Sequence, residues 1–110
     1  MIDKSAIIGK NVYIGENVRI GANSFIGDCS IIKNNTRIGI GTIINRNSII
    51  GENNTIGNYC SIGCDPSFKN FDFSINTFVD IGNNNVILDF SIITRATIEN
   101  TSTYIGNNNI

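Results

Sequence analysis

Ile8-Gly9-Lys10-Asn11-Val12-Tyr13-Ile14-Gly15-Glu16-Asn17-Val18-Arg19-Ile20-Gly21-Ala22-Asn23-Ser24-Phe25-Ile26-Gly27 is one six-residue phrase repeated. Isoleucine keeps that register from Ile2 through Ile8, Ile14, Ile20, Ile26, Ile32, Ile38, Ile44, Ile50 and Ile56 to Ile62 without a miss. A fixed short period marks a repeat architecture. Six residues match neither the 3.6 period of a helix nor the plain alternation of a strand, but they do fit a short strand plus a corner. Two positions before each Ile, on the same strand face, stand small or medium side chains: Ala6, Val12, Val18, Ser24, Ser30, Thr36, Thr42, Ser48, Asn54 and Cys60. Three positions after it come Asn11, Asn17, Asn23, Asn35, Gly41, Asn47 and Asn53, residues that accept a left-handed backbone at low cost. Three such sides close a triangle, and successive coils stack as parallel strands about 4.8 Å apart. The expected fold is all-β, a single-stranded parallel β-helix of about six coils.

The register breaks at Cys64. Residues 64–74 hold the only proline, Pro66, and the phenylalanines Phe68, Phe71 and Phe73, so an outward loop is expected at about 64–78. The pattern resumes at Ile81-Gly82, passes Ile87 and Ile93, meets Glu99 where an apolar residue is due, and returns at Ile105-Gly106. A second, smaller loop is expected around Glu99. With 110 residues the chain reads as one domain, 1–110, with an inserted loop. Its last coil is expected to need a cover, because open strand edges template aggregation and stacked repeats carry polar caps.

Eight basic and nine acidic residues give a net charge of −1, with no basic face for nucleic acid and no acidic tail. The opening residues lack the charged and apolar regions of a signal peptide, and no apolar run approaches the ~20 residues of a membrane span. Three cysteines without secretory context imply free thiols and a cytoplasmic location.

The residue before each inward Ile points outward, and residues eighteen apart share a face. One face carries Ile7, Phe25, Ile43 and then Ser61, the next Tyr13, Ile31 and Ile49, and the third Arg19, Arg37 and Thr55. Two faces are thus apolar outside as well as inside. Contiguous apolar columns mark an interface, and two of them flanking one edge suit a cyclic homotrimer.

Several segments resemble the hexapeptide-repeat acyltransferases, and among them the UDP-N-acetylglucosamine O-acyltransferases of lipid A synthesis. These are Met1-Ile2-Asp3-Lys4-Ser5-Ala6, Ser61-Ile62-Gly63 running into Asp65-Pro66, Val79-Asp80-Ile81-Gly82, and Ile92-Ile93-Thr94-Arg95-Ala96-Thr97. The resemblance implies a left-handed coil, since other parallel crossovers are overwhelmingly right-handed. It also implies transfer of a 3-hydroxyacyl chain from acyl carrier protein to UDP-N-acetylglucosamine, with Asp65, Lys69 and Arg95 as substrate-binding residues and no metal or cofactor.

Acyl transfer from a thioester to a hydroxyl needs a base for the hydroxyl proton and donors for the oxyanion. Histidine suits the first task, and this sequence has none. The resemblance implies a catalytic histidine in a coil beyond residue 110; Thr94 stands where the family has another histidine, and Leu88 where it has an arginine. No catalytic residue is therefore assigned. Asp65, Asp80 and Asp89 are the only alternatives as base and read better as surface acids, while a thiol has no histidine to activate it. The expectation is an acyltransferase-like chain, degenerate and weakly active or inactive alone. The alternatives are a non-catalytic trimeric scaffold for a longer relative and a sugar-nucleotide acetyltransferase.

Overall fold

The computed structural model describes all 110 residues and contains strands and turns but no helix. Fourteen strands, numbered in chain order, lie on three faces. The first face holds β1 (Ile7–Ile8), β4 (Phe25–Ile26), β7 (Ile43–Ile44), β10 (Ser61–Cys64) and β13 (Ile92–Thr94). The second holds β2 (Tyr13–Ile14), β5 (Ile31–Ile32), β8 (Ile49–Ile50), β11 (Phe78–Ile81) and β14 (Ser102–Ile105). The third holds β3 (Arg19–Ile20), β6 (Arg37–Ile38), β9 (Thr55–Ile56) and β12 (Val86–Ile87), extended by a parallel bridge from Ile2 to Ile20. All pairings are parallel and the coil is left-handed.

Each face therefore has five rungs, where an uninterrupted period would give about six. The excursions account for the difference. Rungs eighteen apart elsewhere stand thirty-one apart from Ile50 to Ile81 and twenty-four apart from Ile81 to Ile105. The two loops thus take up thirteen and six residues.

The register residues stack along the axis. Ile26, Ile32, Ile44, Ile50 and Ile62 are wholly buried, each worth about 1.5–3 kcal/mol of hydrophobic stabilisation. The small inward positions form a polar spine between them. Ser24 Oγ, Thr36 Oγ1 and Thr42 Oγ1 donate to the carbonyls of Gly39, Gly51 and Gly57, each at 2.7 Å. Asn54 and Asn85 do the same through Nδ2 to Gly82 and Gly106, both at 2.8 Å. No buried side-chain polar atom lacks a partner, as a dry interior requires. An outer ladder runs parallel to this spine. The Oδ1 atoms of Asp28, Asn34, Asn58 and Asp89 accept backbone N–H groups of the preceding coil at 2.8 Å.

The corner asparagines adopt the left-handed conformation, with φ between 56° and 63° from Asn11 to Asn53, as does Gly41 at 64°. Cys29, Tyr59 and Phe90 take the same geometry, at 62°, 54° and 62°. Bulky residues are rare there. The Tyr59 and Phe90 rings stack on each other across two coils, 5.7 Å apart and nearly parallel, a pairing that offsets part of the strain. Glycine after the register Ile has a different role. A Cβ on Gly27 would stand 2.4 Å from the backbone nitrogen of Arg46, so the coils approach as closely as they do only without it.

Candidate functional site

Both excursions leave the prism at the edge between the first and second faces. Residues 65–77 follow β10 and precede β11, and residues 95–101 follow β13 and precede β14. Between the longer loop and the edge lies an open cavity of about 380 Å³. Its prism wall is Phe25, Gly27, Asp28, Asn45, Arg46 and Asn47. Its loop wall is Gly63, Asp65, Phe73, Ile75, Asn76 and Thr77, with Arg95 from the next coil.

Arg95 holds the loop in place. Its Nε donates to Asp65 Oδ1 at 2.8 Å, the one ion pair in the chain. Nη1 donates to the Ile75 carbonyl at 2.7 Å and to Thr77 Oγ1 at 3.1 Å, and Nη2 to the Phe73 carbonyl at 3.2 Å. The guanidinium lies 5.0 Å from the Phe71 ring centroid, in the range of a cation–π contact. Phe71 is buried and meets Phe68 and Phe73 edge-on at 5.3 and 5.4 Å. Phe71 therefore packs on both other loop phenylalanines and on Arg95. Asn76 N–H donates to Glu99 Oε2 at 2.8 Å and Thr77 Oγ1 to the Ala96 carbonyl at 2.6 Å, tying the loop to the second excursion.

The sequence-expected binding residues thus separate. Asp65 and Arg95 come together at the cavity, whereas Lys69 is exposed on the loop and outside the lining. Asp80 lies on β11 between Ile49 and Tyr104, and Asp89 Oδ1 accepts the Asn58 N–H in the outer ladder. Cys60 is buried with its thiol 3.2 Å from the Leu88 carbonyl. None of these carboxylates is set beside a second group that would make it a base. Sequence reasoning missed Arg46, whose only signal was a positive charge at an edge position two residues after Ile44.

The outward columns flank the cavity. On the first face Ile7, Phe25 and Ile43 are exposed, and on the second Tyr13 is exposed while Ile31 and Ile49 are half-buried. Ile92 and Tyr104, each about 70% exposed, lie further along the two columns, beyond Ser61 and Asp80, which interrupt them. Away from that edge, Arg19 and Arg37 sit in register on the third face beside a shallow cavity of about 310 Å³. No helix is long and apolar enough to cross a membrane.

A family model described as the GMPPB C-terminal domain matches residues 1–68. Among solved structures, a UDP-N-acetylglucosamine acyltransferase from Campylobacter jejuni superposes with a TM-score of 0.83 at 29% identity, over 96% of this chain and 41% of that one. A UDP-N-acetylglucosamine acyltransferase from Bacteroides fragilis gives 0.66 at 32% identity, over 99% of this chain and 40% of the other. The chain spans about two fifths of the length of these two structures. No curated protein sequence matches it.

Proposed function

The chain belongs to the GMPPB C-terminal domain family and has the fold of the hexapeptide acyltransferases, and from that premise we propose that it binds UDP-N-acetylglucosamine at the cavity beneath the 65–77 loop. The activity is that of a UDP-N-acetylglucosamine O-acyltransferase of the lipid A pathway, moving a 3-hydroxyacyl chain from acyl carrier protein. The observation that carries this reading is the 29% identity at a TM-score of 0.83, which extends over 96% of the chain.

The chemistry sets a limit on what residues 1–110 do alone. In the transfer, the sugar hydroxyl loses its proton to a base, its oxygen attacks the thioester carbonyl, and the thiol leaves with a proton. Residues 1–110 contain no histidine to act as that base, Asp65 and Asp89 are already engaged, and Asp80 stands on β11 outside the cavity lining. By themselves residues 1–110 therefore turn over weakly or not at all.

The assembly is a cytoplasmic homotrimer. Ile7, Phe25 and Ile43 on one face and Tyr13, Ile31 and Ile49 on the next bury against neighbouring copies. The cavity sits on the edge between those faces, so a neighbour supplies its outer wall. Calorimetric titration with UDP-N-acetylglucosamine tests the ligand, with saturable binding expected. No heat at millimolar ligand would remove the acceptor reading. Sedimentation at micromolar concentration tests the trimer, and a monomer there would refute it. A second reading is a non-catalytic scaffold on a longer hexapeptide protein, and co-purification of such a protein would support it.

A further inference from the structure

Four charged side chains line the cavity beneath the 65–77 loop: Asp28, Arg46, Asp65 and Arg95. Three of them are engaged. Arg95 has four of its five N–H bonds committed to the loop, and Asp65 is its ion partner. Asp28 Oδ1 accepts the Lys10 backbone N–H at 2.8 Å. Arg46 differs from all three. It is exposed, forms no ion pair, and its guanidinium donates to no protein acceptor.

Its backbone, by contrast, is fixed. Arg46 N packs against Gly27 so closely that a Cβ there would lie at 2.4 Å, and the next residue, Asn47, is held at a corner with φ of 60°. The neighbouring Asn45 side chain is tied to the Ile62 carbonyl at 3.0 Å. Arg46 therefore lines the cavity from a rigid edge with all five guanidinium donors unused, and that planar fork matches the oxygens of a phosphate. Lys69, the other cation the sequence offered, is outside the cavity.

We infer that Arg46 receives the anionic group of the cavity's ligand, a phosphate or diphosphate, while Arg95 is a positioning residue that holds the loop over it. This reverses the role the sequence gives Arg95, and it rests on the sugar-nucleotide reading above. The second oxygen of Asp28 remains an acceptor for a ligand hydroxyl, so the phosphate-bearing ligand is one that also carries hydroxyl groups.

The test uses the intact chain and its R46Q, R46K and R95K variants, each checked for an unchanged melting temperature. They are titrated with UDP-N-acetylglucosamine and with inorganic pyrophosphate at two salt concentrations. R46Q is expected to bind the sugar nucleotide about tenfold more weakly, the loss of one charge-assisted contact. Its binding should depend less on salt, and R46K should recover part of the affinity. R95K is expected to be cut by trypsin at Lys69 several-fold faster than the parent chain. Equal sugar-nucleotide affinity in the parent and R46Q overturns the inference and leaves the sugar-nucleotide reading standing. Pyrophosphate binding that needs Arg46, without sugar-nucleotide binding, does the reverse. Binding of neither ligand by the parent chain removes both. R95K that loses affinity with its loop still protected makes Arg95 a ligand contact and also overturns the inference.

Discussion

Replacing Asn54 with alanine cuts the polar spine at its centre. Asn54 is 1% exposed, its Nδ2 donates to the Gly82 carbonyl at 2.8 Å, and its Oδ1 accepts the Asn85 backbone N–H at 2.9 Å. Alanine leaves one buried acceptor and one buried donor without partners, and each costs about 1–3 kcal/mol. The expected loss is therefore about 2–6 kcal/mol, a large share of the stability of a domain this size. The molecule supplies its own control. One coil earlier in the same column, Thr36 Oγ1 donates to the Gly51 carbonyl at 2.7 Å and accepts the Asn54 N–H at 3.2 Å. Asn54→Thr can reproduce both bonds and should lose no more than about 1 kcal/mol, most of it side-chain volume. Urea unfolding followed by circular dichroism, at fixed protein concentration, reads both variants, and an unchanged slope assigns the shift to stability. If N54A lies within about 1 kcal/mol of the parent, or if N54T falls as far as N54A, hydrogen bonding of the spine is not what the interior position requires.

Gly27→Ala places a Cβ 2.4 Å from Arg46 N and should separate the coils, whereas Gly106→Ala meets nothing within 4 Å. The first should lose about 3 kcal/mol or more and the second should gain a few tenths, read by thermal melts of the 110-residue chain. Phe25→Asp puts a carboxylate in the centre of the first apolar column. On the trimer proposed above it should leave monomers in sedimentation, while a variant that stays trimeric would remove that face from the interface. Asp72 is held below its ordinary value by the Ser74 hydroxyl and then the Ser74 backbone N–H. A depressed folded pKa gives stability that is present above the ordinary carboxylate range and lost as pH falls through the lowered value. Ser74→Ala should therefore move the Asp72 carboxyl titration upward in NMR, and an unmoved midpoint would deny the hydroxyl that role.

The prism could be read from the sequence because every requirement of the coil recurs every six residues. The Ile register, the small inward position and the corner Asn each repeat often enough for one face to be checked against the next, and Arg19 indeed lies against Arg37 and Tyr13 against Ile31. Cys29, Tyr59 and Phe90 were not legible as left-handed corners, because their side chains argue against the conformation the stack imposes on them. The cavity was only partly legible, for a related reason. Its parts come from a loop that occurs once and from Arg95, thirty residues beyond its partner Asp65. A sequence shows that Arg95 is a cation, but not that the Phe73 and Ile75 carbonyls already hold it. Which of two arginines is free to meet a ligand depends on how many N–H groups the fold has used, and in this chain that count leaves Arg46.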